Sequence, residues 1–322
     1  MRKLASWLLL FYCAWAQAGA LDAGRCIAPA KPGGGFDITC QLVRDVLQKS
    51  GQTPQPLTIT YQPGGIGALS FKNAATQQSA DGHAATAFSS GSLLNLAQGR
   101  FGPYTSRDVR WLALLGIDYG VVAVHRDSPY KNLVQLLAAL RDNANGIVFG
   151  AGGSIGSQDW MKAALLARQA NVSHKAMRFV AFEGGGEAMS ALASRHVQVL
   201  AGDAAEVGRS MDNGAPVRVL AVLSSKRLPG RWAQVPTAQE QGVSLEWPIL
   251  RGLYLGAQVS ERDYREWTAA LTRAMESGVA AQELEKAGMQ RYWLTGPDLD
   301  NLVQSQLKLF DTLATEFGLN RR

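Results

Sequence analysis

Five short turns hold most of the chemistry this sequence can offer. They are Lys31-Pro-Gly-Gly-Gly-Phe-Asp37, Gln62-Pro-Gly-Gly-Ile-Gly67, Ser89-Ser90-Gly91-Ser92, Gly150-Ala-Gly-Gly-Ser-Ile-Gly-Ser157 and Glu183-Gly-Gly-Gly-Glu187. Glycine lets the backbone curl until neighbouring N–H groups point at one spot, and the first N–H groups of a helix have no internal acceptor. Such turns attract anions, carboxylates among them. Asp37 is placed to act as the N-cap of the helix that follows the first turn. Any one of these turns has a plain alternative, a simple link from strand to helix. Five of them, rich in N–H and O–H donors, favour a shared anion site.

Other constellations compete. Gly152-Gly153-Ser154-Ile155-Gly156 fits the G-x-S-x-G nucleophile elbow, which makes a serine hydrolase using Ser154 the rival reading. That enzyme needs an acid and then a histidine later in the chain. Only His174 and His196 follow Ser154, and Asp159 lies inside the adjoining helix. A dinucleotide fingerprint fails because Ile155 stands where the third glycine belongs, and no P-loop occurs. His83, His125, His174 and His196 are isolated, with no H-x-x-x-H or C-x-x-C, so neither a metal nor a cofactor is expected. Glu183 and Glu187 bracket their turn and read as helix caps. Asp203 either contacts a ligand hydroxyl or amine or caps the next helix. Arg251 sits in the apolar run Trp247–Tyr254 and needs a partner, either a ligand carboxylate held in bidentate fashion or an internal acid.

The elements that must position these turns are legible. Cys26-Ile27-Ala28 is strand-like, and Ile38, Leu42, Val43, Val46 and Leu47 recur at helical spacing after it. Residues 57–61, 84–88, 147–149, 177–182, 197–201 and 217–222 also read as strands. Helices are expected from Gln158 to about Ala170, up to Ser194, and over Asn132–Asp142, where Leu133, Leu136, Leu137 and Leu140 line one face. This alternation predicts an α/β fold with largely parallel sheets. In such sheets ligands sit beyond the carboxyl ends of the strands, where these turns fall.

The chain has 322 residues, 47% hydrophobic and 18% charged, which suits one or two globular domains. Residues 1–20 read as a secretory signal peptide cleaved after Ala20: Arg2 and Lys3, an apolar stretch, then Ala18-Gly19-Ala20. A formal net charge of +6 is scattered, with no basic run among aromatics, so nucleic acid is not an expected partner. Beyond the leader two cysteines remain, Cys26 and Cys40. In an oxidising compartment they could bridge and pin the first turn; two free buried thiols are the alternative.

Pro32-Gly-Gly-Gly-Phe-Asp37 resembles the P-G-G-x-x-D turn of the solute-binding proteins of tripartite tricarboxylate transporters, the Bug receptor family. The similarity extends through Tyr61–Gly67, Val122–Leu133, Gly150–Ser157, Phe182–Gly186, Ala221–Gly230 and Val235–Ala238, nearly the whole mature chain. It implies a two-lobed, type II-like periplasmic binding protein, each lobe a mainly parallel sheet flanked by helices, with the ligand cleft between the lobes. One lobe would comprise residues 21–122 and 224–322, the other residues 123–223. In such receptors turns from both lobes grip a carboxylate, and ordered water near the P-G-G turn reads another polar end. Carried over, Gly34, Gly35, Phe36 and Asp37 form one jaw with Ser89, Ser90 and Ser92. Gly153, Ser154, Ile155, Gly156 and Ser157, with Gly184 and Asp203, form the other.

The implied role is a periplasmic receptor that captures a small organic carboxylate, a tricarboxylate or dicarboxylate. It would deliver this cargo to two integral-membrane transporter subunits and break no bond. A receptor presenting its ligand to a sensor kinase is a further reading. Two departures from the family pattern matter. Gln158-Asp159-Trp160-Met161 follows Ser157 where G-x-x-H-L is usual, and Phe182-Glu183 replaces a tyrosine–lysine pair. Glu183 in place of a cation weighs against the simplest dicarboxylate reading, and Arg251 would compensate. The Cys26/Cys40 pair resembles the tricarboxylate-binding branch.

Overall fold

The computed structural model describes residues 21–320, and the expected leader at 1–20 lies outside them. The first part of the chain runs β1 (Arg25–Ala28), α1 (Gly35–Lys49), β2 (Thr58–Tyr61), α2 (Ala68–Ala75), β3 (Ala84–Ser89), α3 (Ser90–Ala97) and β4 (Val109–His125). The middle runs α4 (Leu133–Asp142), β5 (Val148–Gly152), α5 (Gln158–Gln169), β6 (Arg178–Phe182), α6 (Gly185–Ala193), β7 (Val199–Asp203), α7 (Ala204–Asp212) and β8 (Val217–Val222). Then follow β9 (Pro248–Gly256), α8 (Glu261–Glu276), α9 (Gly278–Lys286), β10 (Gln290–Leu294) and α10 (Gly296–Glu316).

The strands follow one path, β2-β1-β3-β9-β4-β7-β5-β6, with β10 and β8 also paired to β4. The α/β alternation is present as expected. β2, β1 and β3 are parallel to one another, as are β7, β5 and β6. Between these two groups β9 and β4 run antiparallel. β4 is the link: Val109–Tyr119 pair with β9, and Gly120–His125 pair with β7 and β8. Its 17 residues are almost all buried on both faces, which is why the sequence reads as a continuous apolar run without alternation.

α1 buries the residues its spacing singled out, Ile38, Leu42, Val43, Val46 and Leu47. It begins earlier than expected, however. Gly34 is the N-cap and Asp37 is the third helical residue, its Oδ2 accepting the Gly33 N–H at 2.8 Å. The reason is geometric: Gly33 supplies the left-handed turn (φ +96°), so the chain is already helical when it reaches the aspartate. Cys26 and Cys40 form a disulfide with a Cα–Cα distance of 5.5 Å, tying β1 to the second turn of α1. Closing so short a loop stabilises the fold by about 3 kcal/mol on chain-entropy grounds. Among the described residues no helix is long and apolar enough to cross a membrane.

Candidate functional site

α1, α3, α5, α6 and α7 all start at the carboxyl end of a strand, and their first turns surround one cavity of about 80 Å³, room for several waters. Gly34, Gly35 and Phe36 line it from α1, and Ser89 and Gly91 from α3. From the other parallel group come Gly152, Gln158 and Asp159, then Glu183–Glu187, then Asp203 and Glu206; Arg251 of β9 closes the wall. Internal helical bonding begins at Ile38 in α1 and Ala188 in α6, so the N–H groups of Phe36, Gly185 and Gly186, on residues that line the cavity, have no acceptor within their own helices.

The remaining expected site residues hold the turns in place or sit beside the cavity. Asp37 also accepts from the Tyr61 hydroxyl and from Gln41, each at 2.9 Å, and so clamps the first turn from behind. Ser89 and Ser92 make a reciprocal capping box on α3, while the Ser90 hydroxyl accepts from Leu250 N–H at 2.9 Å and anchors α3 to β9. Gly153, Ser154 and Ser157 line an adjoining cleft with Ile66 and Arg100. There Arg100 donates to Ser154 Oγ at 3.1 Å and to the Ile155 carbonyl, and Gln98 donates to the Gly156 carbonyl at 2.8 Å. Ser157 Oγ caps α5 through Trp160 N–H. This turn is therefore a contact between the two strand groups, and its serine is held by an arginine.

Charge is the site's dominant feature. Arg251 donates through Nη2 to Asp118 at 2.8 Å and to Asp203 at 2.7 Å. Lys162 donates to Asp203 at 2.6 Å and to the Gly202 carbonyl at 2.7 Å, and lies 3.1 Å from Asp159. Gln158 Nε2 donates to both oxygens of Asp203. Arg251 thus has the internal salt bridge. Asp203 occupies the N-cap position of α7 without capping it, because two cations hold its carboxylate elsewhere. Ala205 N–H in the first turn of α7 finds Asp118 Oδ1 at 3.2 Å instead. Glu206, in the first turn of α7, reaches across to accept the Gly35 N–H. All six ionisable groups are buried, with Lys162 and Arg251 at 0% and 2% exposure.

Four buried carboxyls against two buried cations cannot all ionise cheaply. Burial opposes charge on Asp203, but Lys162 and Arg251 outweigh it and hold that carboxyl below its ordinary range. Asp118 and Asp159 each have one close cation, and burial wins: both are pushed up. Glu206 is pushed up to about 8, by burial first and then by repulsion from Asp203, with Arg251 pulling the other way. The folded protein therefore holds a proton on Glu206 that the unfolded chain releases above its ordinary value near 4.5. Stability from this group falls as pH rises from about 4.5 to about 8, with a slope approaching 1.4 kcal/mol per pH unit for one proton. Urea midpoints measured from about pH 5 to 8.5 should decline in the wild type, and Glu206→Gln should flatten that decline.

Glu206, Asp118 and Lys162 did not emerge from the motifs. The signal for the last two was available: an acid in the apolar run of β4, and a lysine within the otherwise apolar run Trp160–Ala167.

The chain is 24% identical over 298 residues to a UPF0065 protein encoded in the tcbD–tcbE intergenic region of a Pseudomonas strain, covering 91% of this chain and 86% of that one. A second UPF0065 protein, from Cupriavidus necator, is likewise 24% identical, over 306 residues. Among solved structures, the periplasmic binding protein BugD superposes with a TM-score of 0.82 at 17% identity, covering 94% of this chain and 99% of that one. The malate-bound MatC protein of Rhodopseudomonas palustris gives 0.76 at 20% identity, covering 91% and 99%. An adipate-bound protein of R. palustris gives 0.81 at 17%, covering 92% and 97%. These structures share the fold. The family profile of TctC, the tripartite tricarboxylate transporter family receptor, matches residues 42–319, and the chain belongs to that family.

Proposed function

We propose that the protein is a periplasmic receptor that captures a small organic acid in the cavity described above and delivers it to the membrane subunits of a tripartite transporter. The carrying observation is that five helix starts, two from one parallel strand group and three from the other, meet on one cavity. Residues 21–122 with 224–322, and residues 123–223, act as two lobes that close over the guest. Lys31 paired with Glu187 at 2.7 Å and Arg100 bonded to Ser154 hold the closed form. N–H groups at the cavity wall supply charge-assisted hydrogen bonds, each worth about 1.5–3 kcal/mol when desolvated. Micromolar affinity corresponds to about 8 kcal/mol, which three or four such bonds supply together with lobe closure. The malate and adipate held by similar folds support small acids as the compounds to try.

Binding without turnover is the second half of this reading. Ser154 Oγ accepts from Arg100, and among the described residues no histidine or carboxylate is bonded to it as a base, so its partners do not support the hydrolase reading, which needs such a pairing. A serine-reactive fluorophosphonate should leave the protein unlabelled. Ser154→Ala should weaken solute binding about 3- to 10-fold, the worth of one lost closing hydrogen bond. Labelling of Ser154, or ester turnover abolished by the same substitution, would instead establish the hydrolase. A thermal-shift screen of the folded protein against small acids in which nothing raises the midpoint would overturn the receptor.

A further inference from the structure

Glu206 stands where an anionic guest would be expected to bind. Its Oε1 accepts the Gly35 N–H at the start of α1, and its Oε2 lies only 1.9 Å from where a side-chain carbon on Gly185 would stand, at the start of α6. Two helix N-termini thus converge on a carboxyl that the protein itself supplies from α7.

The rest of the wall agrees. Asp159, Glu183, Glu187, Asp203 and Glu206 line the cavity against Lys31 and Arg251; Lys31 is paired with Glu187, and Arg251 with Asp118 and Asp203 through Nη2, leaving its buried Nε without an acceptor among the described residues. Gln158 adds an independent pointer. Its amide nitrogen is fixed toward Asp203, so the orientation is set by two carboxylate oxygens that only a donor can meet. Its Oε1 is then turned toward Gly91 at the cavity wall, buried, with no hydrogen-bond donor among the described residues. A buried acceptor without a donor costs free energy until a guest supplies one. Gln158 is thus an acceptor awaiting a donor, which a second carboxylate cannot supply; the Glu206 carboxyl offers its oxygen to the same donor, and an ammonium beside it favours the ionised form.

We propose that the Glu206 carboxyl itself occupies the position between the starts of α1 and α6, and that the guest meets Glu206 and Gln158 with a nitrogen donor, a primary amide or an ammonium, in place of a second carboxylate. This rests on reading the cavity as the solute site. The cargo is then a small monocarboxylate with a nitrogen group at its far end.

Three nearly isosteric series of two to six carbons test this by titration calorimetry and thermal shift: α,ω-diacids, their monoamides and the corresponding ω-amino acids. For the four-carbon member these are succinate, succinamate and 4-aminobutyrate. The best amide or amine should bind at least about tenfold tighter than the diacid of equal length. Which arm wins separates a neutral donor from a charged one. Glu206→Gln preserves shape and an acceptor for Gly35 N–H, and should reverse the preference, losing the amine and gaining the diacid. Diacids binding tightest to the wild type, with a ranking unmoved by Glu206→Gln, would overturn this assignment while leaving the receptor intact. No response from any series in a folded sample would overturn both.

Discussion

Arg251→Met should lower the thermal midpoint by roughly 6–15 °C, the consequence of about 3–5 kcal/mol lost when one partner of a buried ion pair is removed from a protein of this size. The effect comes from what is left behind. Asp118 and Asp203 would lose their shared guanidinium, and Lys162 alone would face the buried acids of the cluster. Methionine fills much of the same volume, so packing contributes little to the loss. Asp118→Leu added to Arg251→Met should recover part of it, because the orphaned acid leaves with its partner. Lys31→Met makes the contrast. It breaks a 2.7 Å pair of similar geometry but exposed to solvent, and the midpoint should stay where it is. Denaturation of the three variants reads these differences directly. Equal midpoints for wild type and Arg251→Met would mean that the cluster carries no net cost when broken.

That cluster also marks where sequence reading stops. Arg251 stood out because an arginine inside an apolar run must have a partner, but the sequence could not choose between a ligand and an internal acid. Its acids lie 133 and 48 residues away, and Lys162 meets Asp203 across 41 residues. A lone charge in an apolar stretch names a need without naming what fills it. The glycine turns were legible for the opposite reason: their chemistry is local, set by φ angles and helix starts within a few residues. The amphipathic face of α1 was local too, and so was its disulfide partner, a short loop away.

Which way each turn faces was not local. The Gly153–Ser157 turn was expected to form one jaw with Gly184 and Asp203, yet Arg100, on a separate part of the chain, turns it into a contact beside the cavity. Ser90 likewise belongs to the joint between α3 and β9. Glu206 shows the limit most clearly. In Ala204-Ala205-Glu206-Val207 it reads as an ordinary first-turn acid placed to favour the helix dipole. Only the approach of α7 to the starts of α1 and α6 makes it part of a site, and that approach depends on the long β4 carrying the chain from one strand group to the other.

The three glycines at the start of α6 should behave differently despite being neighbours. A side-chain carbon on Gly184 would meet nothing within 4 Å, and its extended backbone suits any residue, so Gly184→Ala should lower the thermal midpoint by no more than about 3 °C, the small cost of alanine at an N-cap. On Gly186 the same carbon would sit 3.5 Å from the Gly33 carbonyl carbon, an ordinary contact. On Gly185 it would lie 1.9 Å from Glu206 Oε2. Helix propensity alone favours alanine over glycine there by at most about 1 kcal/mol. The collision opposes this gain. Glu206 must swing away, surrendering the Gly35 N–H and taking up cavity space, in a neighbourhood where Arg251 cannot yield because two aspartates hold it. Overpacking of this kind costs about 1–3 kcal/mol, so the sign of the stability change should follow packing rather than propensity. Binding should suffer more. With the wall N–H groups displaced and the cavity partly filled, affinity for whichever solute binds the wild type should fall about 100-fold or more, the worth of two charge-assisted hydrogen bonds. Calorimetry on Gly184→Ala and Gly185→Ala side by side tests the geometry. A Gly185→Ala protein that binds as well as the wild type would mean that Glu206 does not stand between the two helix starts when the solute is bound.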